Sequence, residues 1–189
     1  MLGQKSFSPR RGFTLLEIIV AMVVIALLVG VVALRSAKVV DRGKVTKVVD
    51  SVNTLKQACA MHHFDTSTFA YEYSGYPASS QRLSQRQTYS GWKGPYIEKQ
   101  LTVADNPFGG TVHLYSIATP NGNPGFDKDG DGTLDVTAAA NVLWMSGVPS
   151  EQAKDVNDAF DSGIPGTWSD SGVVRYSSAT SQLFILVHY

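Results

Sequence analysis

Hydrophobic positions are spread very unevenly along this chain of 189 residues. From Ile18 to Leu34 no residue is charged, and with Phe13–Leu16 the apolar run reaches roughly the 20 residues that cross a bilayer as a helix. The pattern then changes rather than stops. Val39, Val45, Val48, Val49, Val52, Leu55, Ala58 and Cys59 recur at three-and-four spacing. Lys38, Asp41, Arg42, Lys44, Lys47, Asp50 and Lys56 fill the remaining faces. No proline interrupts residues 13–63, and Gly43, the weak point of the second half, costs up to about 1 kcal/mol. One helix from about Phe13 to about His63 is predicted, roughly 75 Å long at 1.5 Å per residue. Its first half suits lipid and its amphipathic second half suits packing on a folded unit.

Beyond His63 the periodicity ends. Residues 64–110 are rich in Tyr, Ser, Gln and Gly and read as a connecting region, with a short helix suggested around Ser80–Gln87. Thr111–Ala118, Asn141–Met145, Val173–Ser177 and Gln182–Tyr189 are β-type runs, the last two flanking S-A-T-S as a terminal hairpin. After Pro149, Ser150 is placed to cap a helix, Glu151 suits its first turn, Lys154 and Asp158 pair at i,i+4, and Gly163 ends it. Asp155, Asp158 and Asp161 stripe one face of that helix and read as solvated. The predicted class is α+β: one long helix, an antiparallel sheet of about four strands, and one small helix.

Charge changes the picture only at the front. Sixteen basic residues balance sixteen acidic ones, so no general affinity for nucleic acid or anionic lipid follows. Residues 1–12, however, hold Lys5, Arg10 and Arg11 and no acid. The sole cysteine, Cys59, forms no intramolecular disulfide. A secretory signal peptide would have a shorter apolar core and a small-residue cleavage site. Here the run is long, and Arg35 and Lys38 follow it. A plain membrane anchor with its N-terminus in the cytoplasm fits better. Neither reading explains Glu17, a carboxylate at the head of an apolar segment where charge is costly.

The string R-R-G-F-T-L-L-E, Arg10 to Glu17, resembles the class III signal of type IV pilins and type II secretion pseudopilins. The resemblance implies that a prepilin peptidase cuts between Gly12 and Phe13 and methylates the new amine of Phe13. Residues 1–12 are then a leader and 13–40 the transmembrane and filament-core helix. Residues 41–63 are its amphipathic half, 64–110 the αβ-loop, and 111–189 the sheet. Glu17 becomes the family's glutamate at the fifth mature position, paired with the amine of an incoming subunit. The implied partners are other copies or other subunits of a filament, the peptidase, an inner-membrane assembly platform and, before assembly, lipid. Implied too is a single-pass precursor in the inner membrane, followed by a surface filament, or a periplasmic one for a pseudopilin. Leu34 stands where many relatives carry a proline. G-W-K-G-P-Y-I (Gly91–Ile97) and D-N-P-F-G-G (Asp105–Gly110) resemble turns of the major pseudopilin, and as residues they read as Gly/Pro turns with aromatic anchors. The tyrosines of Y-S-G-Y-P (Tyr73–Pro77) could also present an interaction surface.

A second chemistry lies in F-D-K-D-G-D-G-T-L-D, Phe126 to Asp135. Asp127, Asp129, Asp131 and Gly132 reproduce the first half of an EF-hand loop, Thr133 offers a carbonyl, and Asp135 takes the ninth position. The twelfth position is Ala138 instead of glutamate, so the expectation is an isolated Ca2+ loop, against a plain solvated turn. Cys59, His62 and His63 form a weaker transition-metal candidate. No nucleophile elbow, phosphate loop or catalytic carboxylate pair is evident, and no enzyme is expected. Two classes stay open: a filament subunit, pilin ahead of pseudopilin, and a membrane-anchored calcium-dependent binding module.

Overall fold

The computed structural model describes residues 12–189, with side-chain surroundings throughout that range except at 33–38. The predicted leader, with Lys5, Arg10 and Arg11, lies outside the described residues up to position 11. Helix α1 runs from Leu15 to Thr66, 52 residues without a break. Thr14 opens it: its Oγ1 accepts the Glu17 N–H at 3.2 Å and its carbonyl accepts the Ile18 N–H at 3.3 Å. The chain divides into two compact units, one ending at Val40 and the other spanning Asp41–Tyr189.

In the first unit, the window Leu15–Val32 has a mean hydropathy of 3.1 and none of it is buried. The second unit has its own core. Five strands, β1 (Glu72–Tyr73), β2 (Val112–Tyr115), β3 (Asn141–Ser146), β4 (Val174–Ser177) and β5 (Gln182–His188), form one antiparallel sheet in the order β1-β2-β3-β5-β4. Strand side chains alternate between faces. Leu143 and Met145 therefore join Val48, Val52, Leu55 and Cys59 of α1 in the main core, while Val142 turns to the opposite face. There it meets Phe126, Val136, Phe184 and Leu186, which bind residues 118–140 over that face. Full burial of each such aliphatic side chain contributes about 1.5–3 kcal/mol as an upper bound.

The α+β arrangement is the expected one, and the hairpin of β4 and β5 forms as the sequence indicates. The sheet has five strands instead of four because β1, two residues long, is too short to leave an alternation. Of the stretch expected to be helical around Ser80–Gln87, only Ser80 is, as the end of a single 3-10 turn at Ala78–Ser80. The stretch is committed elsewhere, since buried Glu72 takes the N–H groups of Leu83 and Ser84 at 2.9 and 3.4 Å. Helix α2 (Ser150–Phe160) is present, but its N-cap position is Pro149 and Ser150 makes no capping bond. The rigid φ of proline sets the entry there.

Candidate functional site

Two places concentrate the chemistry. The first is the head of α1. Gly12, Phe13 and Thr14 precede the helix, Phe13 is 79% exposed, and Glu17 is its third residue. An acid in the first turn suits the helix dipole. The Thr14–Glu17 bond makes Thr14 the cap, a role the sequence reading missed although the T-x-x-E spacing signals it. Behind this cap Leu15, Leu16, Ile18, Ile19 and their successors stand exposed down the helix. An apolar surface of that extent requires cover by lipid or protein.

The second place is the acidic loop. Phe126, fully buried, and Val136 pair backbone to backbone, closing residues 127–135 into a loop at the foot of the sheet's second core. The Asp127 carboxylate is buried and accepts the N–H groups of Gly130 and Gly132 at 2.8 and 2.9 Å. Asp129 accepts from Asp131 N–H at 3.2 Å and Asp135 from Lys128 N–H at 2.7 Å. These bonds hold the exposed carboxylates of Asp129 and Asp135 near that of Asp127. One carboxylate oxygen each of Asp127, Asp129 and Asp135 lies within 4.8 Å of the others. Asp131 stands outside that grouping, exposed, with its Oδ1 accepting the Thr133 N–H at 2.7 Å.

Two further contacts fix the loop. Gly172 donates its N–H to the Asp127 carbonyl at 2.6 Å, and Gly130, at φ +75°, packs so tightly that a Cβ would strike the Pro165 carbonyl. Three carboxylate oxygens at this spacing could serve a hard cation that takes oxygen ligands at 2.3–2.6 Å, with water completing its shell. Asp127, Asp129 and Asp135 are the residues that fit Ca2+.

The remaining candidates separate. Cys59 is packed in the main core, where burial and then Glu72 push its thiol far above the usual range. His62 is buried and occupied, Nδ1 with the Thr68 carbonyl at 3.1 Å and Nε2 with the Tyr89 hydroxyl at 2.6 Å. His63 turns instead to Phe69 and His188. Asp155 and Asp158 are exposed as expected, but Asp161 is buried and accepts the N–H groups of Val173 and Val174 at 2.9 and 2.8 Å. It ties the end of α2 to β4, and helical spacing alone could not show this.

The αβ-loop is anchored to α1 by Asp65, which pairs with Lys93 at 2.8 Å and accepts from the Tyr96 hydroxyl at 3.0 Å. The Gly94–Pro95 bond before that tyrosine is cis. Asn106 fastens the next turn to the sheet through the Thr111 and Ser146 carbonyls at 3.1 and 2.9 Å. Tyr71 stacks on Tyr73, Tyr73 touches His113 and Tyr115, and His113 stacks on Trp144. Only Tyr76 of this aromatic group is largely exposed, at 55%.

Residues 7–33 match the family described as the prokaryotic N-terminal methylation motif. No curated protein and no solved structure matches the chain. The motif is the class III prepilin signal, consistent with the type IV pilin and pseudopilin family, whose members are structural rather than enzymatic.

Proposed function

We propose that this chain is a subunit of a type IV pilus-like filament. It is cut after Gly12, methylated at Phe13 and assembled through α1. One observation carries the reading: the methylation motif takes in the exposed apolar span Leu15–Val32 of a helix that continues to Thr66. In the precursor, Leu15–Val32 lies in the membrane; in the filament, the same surface packs against its counterparts. Glu17 then meets the methylated amine of a neighbouring Phe13, and that ion pair sets the axial register. A carboxylate left alone in such a bundle costs several kcal/mol, by order of magnitude.

The acidic loop holds Ca2+ through Asp127, Asp129 and Asp135, and Asp131 and the Thr133 carbonyl act through water or after adjustment. The cation locks the loop onto the segment before β4 and steadies the outer part of the subunit. The calcium-type loop and the Gly94–Pro95–Tyr96 turn favour a second reading, a pseudopilin of a type II secretion system. Shearing cells that express the chain with its peptidase and assembly genes tests the first reading. Fibres built of this chain are expected at the cell surface. Recovery only from the inner membrane and periplasm, with protein export lost on its deletion, would transfer the role to secretion.

A further inference from the structure

The last turn of α1 and the start of β3 each hold a buried polar atom that the fold leaves without a partner. His63 Nδ1 is buried and makes no hydrogen bond. Asn141, fully buried at the start of β3, spends its amide N–H groups on the Ala70 and Tyr115 carbonyls at 2.6 and 3.4 Å. Those two acceptors fix the amide orientation, so the Oδ1 is the end left over, and it has no donor. Buried polar atoms without partners cost about 1–3 kcal/mol each. The two side chains are linked through one residue, which is the register partner of Asn141 and packs on His63, and such unpartnered groups ask for an occupant.

His188 supplies the centre. It is paired across the sheet with Asn141, and its ring lies 5.3 Å from that of His63, centroid to centroid, at 67°. Phe69 packs against both imidazoles, and Ala70, next along the chain, is the residue bound to Asn141. Three stretches distant in sequence, residues 63–70, the start of β3 and the end of β5, therefore converge here. Two imidazoles that ligate one tetrahedral cation at 2.0–2.1 Å place their centroids about 5 Å apart with tilted planes. The observed pair has that spacing. His63 Nδ1 and the Oδ1 of Asn141, the register partner of His188, are without hydrogen-bond partners.

We propose that His63 and His188, assisted by the Asn141 Oδ1, bind a divalent transition-metal cation such as Zn2+ between α1 and β5. Nitrogen donors suit Zn2+, Ni2+ and Cu2+ and not Ca2+, so this site and the acidic loop take different ions. Bound metal would cross-link the end of the long helix to the last strand of the sheet, beside the apolar packing of the main core.

The test uses the untagged full chain in detergent with Ca2+ in excess, titrated with ZnCl2 by calorimetry. One Zn2+ per chain is expected. His63→Gln and His188→Gln should each weaken binding at least about tenfold, while Asp129→Asn with Asp135→Asn leaves it unchanged. Cu2+ bound to the wild type should show electron paramagnetic resonance splitting from two imidazole nitrogens, a readout independent of how the variants fold. Absence of binding, binding that survives His188→Gln, or binding lost with the loop variant would overturn the site. A copper spectrum without nitrogen coupling would do so equally.

Discussion

Glu17 has two partners in prospect, one within the chain and one beyond it. Its backbone N–H is held by Thr14, which starts the helix, and among the described residues its side chain makes no ion pair, which leaves it for the incoming amine proposed above. Glu17→Ala keeps the Thr14 bond, so membrane insertion and cutting should proceed. Filament yield, measured by shearing and immunoblotting, should fall at least tenfold, on the order of the cost of an unpaired charge in a bundle. Wild-type yield from that variant would remove the pairing from the account. His113 offers a residue-scale test in the sheet. Burial lowers its imidazole below the ordinary 6.5, partly offset by the Val112 carbonyl, and its Nδ1 accepts the Ser74 N–H at 3.1 Å. The unfolded chain therefore takes up that proton first. His113 thus favours the fold fully above pH 6.5, and this contribution is lost as pH falls from there through the lower folded value. An NMR titration should place His113 below 6.5; a midpoint at or above it would mean that the ring is solvated.

At the scale of elements, what the sequence made legible depended on length and period. The long helix, α2 and the terminal hairpin each leave a repeating pattern, and each is found within a few residues of its expected bounds. Strand β1 and the path of residues 80–87 leave none, because Glu72 fixes them through a side chain eleven residues from Leu83. Asp127, Asp129 and Asp135 were legible because their spacing is local. The meeting of His63, Asn141 and His188 was not, since only the folded sheet joins them. Two consequences follow at this scale. Leu55→Ala, at a position 3% exposed in the main core, should cost about 2–5 kcal/mol in chemical denaturation. A loss under 1 kcal/mol, by rough measure, would show that α1 does not bury that face in solution. Asp129→Asn combined with Asp135→Asn should abolish the rise in melting temperature on adding Ca2+ and leave the calcium-free value near that of the wild type. A rise that persists in the double variant would make the loop an ordinary turn.

The whole molecule joins a unit with a core to one without. Residues Asp41–Tyr189 bury two clusters of side chains around their sheet, whereas Leu15–Val32 buries nothing. An apolar face of that extent needs cover; under the function proposed above the cover is lipid first and other subunits afterwards, and cutting after Gly12 commits the helix to the second. The mass of the N-terminal peptide of the native chain, recovered from cells that carry the processing machinery, tests this most directly. A chain beginning at N-methylated Phe13 is the predicted result. A mature chain that still begins at Met1, or one cut beyond the apolar helix, would contradict it.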